Sequence, residues 1–124
     1  MPEPRILLVD GHPDALIEYA RTLEADGYDT VRTAKGEGLA EALANPPDLI
    51  IVDTEMPRDE AYRLVCDLSE AAETHDVPII VITQDAFNFN HEQYRAAGAD
   101  GYLAKPCSPP ALRAMVLQCL GEAE

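Results

Sequence analysis

The chain has 124 residues, 47% of them hydrophobic and 26% charged, the size and balance of one globular domain able to bury its own core. Nine Lys and Arg against 23 Asp and Glu give a net charge of −14, which argues against bulk binding to nucleic acid or an anionic membrane, because phosphate contacts need clustered cations. Cys66, Cys107 and Cys119 are odd in number and form no CxxC pair, and neither a signal-peptide pattern nor an apolar run near the ~18 residues of a membrane span occurs; a cytoplasmic chain with reduced thiols is expected.

Apolar runs alternate with helical periods along the chain. "RILLVD" (5–10) is a continuous apolar run ending at an acid, as in a strand buried on both faces. Leu16, Tyr19, Ala20 and Leu23 then recur at helical spacing, with Gly27 as a C-terminal stop. "YDTVRT" (28–33) is a weaker strand, and Leu39, Ala42 and Leu43 mark a short helix closed by "NPP" (45–47), since proline cannot continue it. "DLIIVD" (48–53) is the second strong strand and also ends in an acid. After the loop "TEMPRDE", Tyr62, Val65, Leu68 and Ala72 form a helical stripe, and "VPIIVIT" (77–83) is the third strong strand. "NHEQYRAAG" (90–98) reads as a short helix with Asn90 as N-cap and Gln93 three residues on, and Phe89 placed to pack on Tyr94. "GYLAKP" (101–106) is a short last strand. Ser108 then caps a helix that has Pro109 at its first position and Leu112, Met115, Val116 and Cys119 on one face.

This order predicts one α/β domain over residues 1–124, a doubly wound five-stranded parallel sheet with five helices. Sites in such sheets lie outside the carboxyl ends of the strands, and Asp10, Asp53, Thr83 and Lys105 all fall there. Two carboxylates can hold a hard cation such as Mg2+. A carboxylate can attack phosphorus, and a hydroxyl and an ammonium can neutralise phosphoryl oxygens. Lys105 is one of only two lysines, the other being Lys35.

At these residues the sequence resembles the receiver domain of two-component response regulators, a flavodoxin-like fold. The matching pieces are "LLVD" with Asp10, "DLIIVDTEMP" with Asp53 and Pro57, "VIT" with Thr83, and "GYLAKP" with Tyr102, Lys105 and Pro106. The resemblance implies a regulator rather than an enzyme, at most self-catalysing phosphotransfer and autodephosphorylation. Asp53 would accept a phosphoryl group from a histidine kinase or phosphotransfer protein. Asp10, Asp53 and the backbone carbonyl of Glu55 would hold Mg2+. Thr83 and Lys105 would bind the phosphoryl group, Thr83 and Tyr102 would act as switch residues, and the bond between Lys105 and Pro106 is commonly cis in the family.

Four positions depart from the family pattern. The second acid, a direct metal ligand, is Gly11; the small residue after the hydroxyl is Gln84; the loop glycine is Ala61; and the aromatic often found after "KP" is Cys107. Gly11 has two readings, ease of a tight turn through positive φ and loss of a metal ligand, so weak or absent Mg2+ binding is expected. The alternative reading is a pseudo-receiver, a protein-binding module that works without phosphorylation. A flavodoxin-type redox carrier has the same order of elements, but the acidic "DGHPD" loop would repel a flavin phosphate. His12 reads as a loop residue and His75 and His91 as solvated. Phe87, with Tyr102 and the 90–98 helix, points to a partner surface over residues 87–115 for a homodimer or an output domain.

Overall fold

The computed structural model describes residues 3–85 and 87–121, so the expected domain span of 1–124 reaches beyond the described residues at both ends. The elements follow the predicted order: β1 Arg5–Asp10, α1 Ile17–Ala25, β2 Asp29–Ala34, α2 Gly38–Ala44, β3 Leu49–Asp53, α3 Glu60–Glu70, β4 Ile79–Thr83, α4 His91–Ala97, β5 Gly101–Ala104 and α5 Pro109–Leu120. The five strands form one sheet in the order β2-β1-β3-β4-β5, and every pairing is parallel.

The apolar runs of β1, β3 and β4 are continuous because both sheet faces are covered. Side chains alternate between the faces. Leu7, Val9, Ile50, Val52, Ile79 and Val81 join Ala42 of α2 and Ala61, Leu64, Val65 and Leu68 of α3 in one buried cluster. Ile6, Leu8, Leu49, Ile51, Ile80 and Ile82 join Leu16, Ala20 and Leu23 of the α1 region and Leu112 and Val116 of α5 in the other.

Local signals account for the ends of the helices. Gly27, with φ of +97°, closes α1, and Ser108 Oγ accepts from the Ala111 amide at the start of α5. Asn90 Oδ1 accepts from the Gln93 amide, and Phe89 stacks on Tyr94 with ring centroids 4.7 Å apart, the expected staple over α4. One stripe needs correction. α3 ends at Glu70 and Ala71 turns extended, so the exposed Ala72 lies outside the helix. The buried stripe of α3 is Ala61, Leu64, Val65 and Leu68, while Tyr62 is half-buried and meets Tyr94 edge-on. β4 begins at Ile79 rather than 77, although the Pro78 carbonyl still accepts from the Ile50 amide.

Candidate functional site at the carboxyl edge of the sheet

Neighbouring strands β1 and β3 end in acids, so the parallel register brings Asp10 and Asp53 to one edge. Asp53 is completely buried, which a carboxylate tolerates only when its oxygens are paired. Lys105 Nζ and the Glu55 amide donate to Asp53 Oδ1, each at 3.0 Å, and the Gly11 amide donates to Oδ2 at 3.2 Å. Lys105 follows β5 directly, and its own amide donates to the Thr83 carbonyl. The Lys105–Pro106 peptide is cis.

Asp10 is also buried, and its carboxylate meets a residue the sequence reading did not single out. Arg32, on the edge strand β2, donates through Nη1 to Asp10 Oδ2 at 2.9 Å and to Asp14 Oδ1 at 3.3 Å. Burial raises the Asp10 carboxyl above the usual carboxylate range, and the Arg32 charge pulls it down without cancelling that rise. The other oxygen, Asp10 Oδ1, is buried with no hydrogen-bond partner.

Gly11 is explained by space rather than by turn conformation. Its φ is not among the positive values of the chain, so the expected turn role does not hold. A β-carbon built there would overlap the Glu55 carbonyl oxygen and stand 2.9 Å from Asp53 Oδ2. The glycine thus lets the loop after β3 close over the end of β1, bringing the Glu55 carbonyl to the edge.

Those donors fit a hard divalent cation with a reduced ligand set. Asp10 Oδ1 is unpartnered, Asp53 Oδ2 faces the same edge, and the Glu55 carbonyl is beside them; oxygen ligands of this kind suit Mg2+, which keeps several waters. Among the described residues no group of three or more His, Cys, Asp or Glu side chains is placed to hold a metal.

The remaining predicted residues occupy the rim. Thr83 is buried at the end of β4, and its Oγ1 accepts from the Asp85 amide at 3.1 Å. Gln84 is exposed, with its amide 3.5 Å from Glu55 Oε2. Pro57 opens a short 3-10 turn before α3, in which Arg58 and Asp59 take the left-handed backbone, and Ala61 is buried on the first turn of the helix. Tyr102 is half-buried, donates through its hydroxyl to the His91 carbonyl at 2.8 Å, and lies edge-on to Phe89. His91 is not solvated as expected, since it is half-buried with its ring against Phe89 and Tyr102. His75 is exposed in the α3–β4 connection, and His12 is exposed beside Arg32. Cys107 is half-buried against the α1–α5 cluster, and burial raises its thiol pKa. Phe87 is 99% exposed.

Comparison with known proteins agrees with this geometry. The family model of the response regulator receiver domain matches residues 6–117. The chain is 30% identical over 119 residues to the polar-differentiation response regulator DivK of Brucella anthropi, covering 95% of this chain and 97% of that protein. A CheY-like response regulator receiver domain protein from Methanospirillum hungatei superposes with a TM-score of 0.85 at 30% identity, covering 97% of this chain and 95% of that one. The receiver domain of a sensor histidine kinase from Pseudomonas aeruginosa, with a magnesium ion coordinated in its active-site cleft, superposes with a TM-score of 0.86 at 26% identity, covering 96% and 98%. With 112 consecutive residues matched and the paired acids and lysine at the sheet edge, the chain belongs to the response regulator receiver domain family of two-component signalling.

Proposed function

We propose that Asp53 accepts a phosphoryl group from a histidine kinase or phosphotransfer protein. The observation that carries this reading is the setting of Asp53: a carboxylate at the end of a central strand, held by Lys105 and two backbone amides. An Asp53 oxygen would form the new O–P bond as the donor's P–N bond breaks, and the donor imidazole leaves with the electron pair and a proton. Lys105 and the Gly11 and Glu55 amides, already directed at the carboxylate, would oppose negative charge on the transferred group. Asp10, Asp53 and the Glu55 carbonyl would hold Mg2+, which when bound supplies further neutralisation of the phosphoryl oxygens. Binding would be weak, because Gly11 contributes no carboxylate and Mg2+ demands near-ideal octahedral geometry.

Thr83 and Tyr102 would report the modification to the surface formed by residues 87–115, where a kinase, an output domain or a second copy would bind. The three cysteines are free thiols, which supports a cytoplasmic setting. Among the described residues no helix is long and apolar enough to cross a membrane.

The complete burial of Asp53 favours a second reading, a pseudo-receiver that binds partners without phosphorylation. Mass spectrometry after incubation with acetyl phosphate and Mg2+ separates the two. A single added phosphoryl group that is lost in Asp53→Asn supports acceptance. An unmodified parent, or undiminished labelling in the variant, refutes it.

A further inference from the structure

We propose that Arg32 is a built-in competitor of the divalent cation: its guanidinium holds Asp10, and metal binding requires it to be displaced. This rests on the reading of Asp10 as a metal ligand, but not on phosphoryl transfer.

Each of the two carboxylates at the edge already has a cationic partner in the chain. Asp53 is paired with Lys105 at 3.0 Å and Asp10 with Arg32 at 2.9 Å, two carboxylates against two cations. Gly11 adds no carboxylate between them, and the nearby Asp14 is itself engaged by Arg32 at 3.3 Å. A divalent cation entering next to both carboxylates would therefore meet ligands that already have cationic partners, with a guanidinium 2.9 Å from its first ligand. Arg32 cannot relieve this by losing a proton, because a guanidinium stays charged in proteins. It can relieve it only by moving.

The surroundings allow that movement. Arg32 is on an edge strand, with its side chain 31% exposed, whereas that of Asp10 is 8% exposed. A cleft of about 490 Å³ runs alongside, lined by Arg32, His12, Pro13, Asp14, Thr33 and Lys35. Asp14 already shares the guanidinium at 3.3 Å, so an arginine released from Asp10 keeps an anionic partner. The buried, unpartnered Asp10 Oδ1 marks where the arriving cation would bind. It also explains why a single guanidinium does not satisfy this carboxylate fully.

The experiment is equilibrium binding of Mn2+ to the intact chain, followed by electron paramagnetic resonance, with Mg2+ as competitor. Arg32→Gln keeps a polar side chain and removes the charge. Its affinity for Mn2+ is expected to rise by about tenfold or more, the effect of removing one charge-assisted hydrogen bond from the ligand, and Asp10→Asn in the same background is expected to reverse the gain. Equal or weaker binding by Arg32→Gln overturns the proposal, as does absence of binding in both parent and variant. A second measurement needs no variant: in the arginine side-chain nitrogen spectrum of the parent, the Arg32 signal should shift with Mg2+ at the midpoint seen for the Gly11 amide. An Arg32 signal unmoved while the Gly11 amide titrates overturns it too. Neither readout involves phosphoryl transfer, so a chain that never becomes phosphorylated can still pass both tests.

Discussion

Gly11→Ala tests whether the loop after β3 is held as closely to β1 as the structure places it. The added methyl group would overlap the Glu55 carbonyl oxygen and stand 2.9 Å from Asp53 Oδ2. Neither neighbour yields easily, because Glu55 is tied by its amide to Asp53 and Asp53 is tied to Lys105. Overpacking of this kind costs roughly 1–3 kcal/mol, and replacing glycine by alanine returns about 0.4–1 kcal/mol through the unfolded chain. A net loss of about 1–2 kcal/mol is expected. With an unfolding entropy near 2.1 cal/mol/K per residue, about 0.26 kcal/mol/K for 124 residues, this lowers the melting temperature by roughly 4–8 °C. Gly36→Ala is the control, since a β-carbon there meets nothing within 4 Å and the backbone φ is not positive; it should melt at or slightly above the parent. Thermal unfolding by circular dichroism gives both values. A Gly11→Ala variant as stable as the parent would refute the close approach, and with it the view that a side chain at this position is excluded by the Glu55 backbone.

Lys105→Met leaves the buried Asp53 without its cation and should cost about 3 kcal/mol in urea denaturation. Asp53→Asn added to that variant should recover most of the loss, whereas additive costs would show that the two groups are not coupled. Burial pushes the Tyr94 phenol up to about 12, so the folded state keeps a proton that the unfolded chain releases near 10. The contribution is fully present below pH 10 and is lost as pH rises from 10 toward 12; Tyr94→Phe should flatten that alkaline fall, and an unchanged slope counts against it. Asn90→Ala removes the acceptor for the Gln93 amide at the start of α4 and should cost about 1 kcal/mol, checked by the denaturation midpoint.

Most of the fold was legible because the strands advertise their own burial. β1, β3 and β4 are covered on both faces, so they read as unbroken apolar runs, and the acids ending two of them stand out against that background. The capping of α4 and α5 is equally local and equally readable. What escaped depends on contacts distant in sequence. Gly11 answers to the Glu55 carbonyl, 44 positions away, and nothing nearby distinguishes a glycine needed for space from one needed for a turn. Arg32 sits in an alternating strand where a polar residue is ordinary, and its partner Asp10 is 22 residues earlier. The one available signal was a cation placed near the end of a strand that must lie beside the site. Ala72 was misread because the apolar spacing of α3 continues past Glu70 while the backbone does not.

The edge that holds Asp53 is connected to α4 through a short series of specific contacts. Thr83 Oγ1 accepts from the Asp85 amide, and the Asp85 carboxylate in turn holds the amide and side chain of Asn88 at 3.2 and 2.8 Å. Phe89, the next residue, packs on Tyr94 and Tyr102, and the Tyr102 hydroxyl is bound to the His91 carbonyl. The Thr83 bond uses the hydroxyl as an acceptor, so its own proton is not committed to that contact. The two ends of this series differ in how firmly they are held. Thr83 belongs to a strand whose five residues are all buried, while α4 has seven residues and none that is fully buried. α3, which packs beside α4, buries four residues. Elements with little buried apolar contact open at the lowest free energy. α4 and the turn carrying the exposed Phe87 are therefore expected to show less protection in amide hydrogen exchange than the sheet or α3, and equal protection across these elements would refute this ordering.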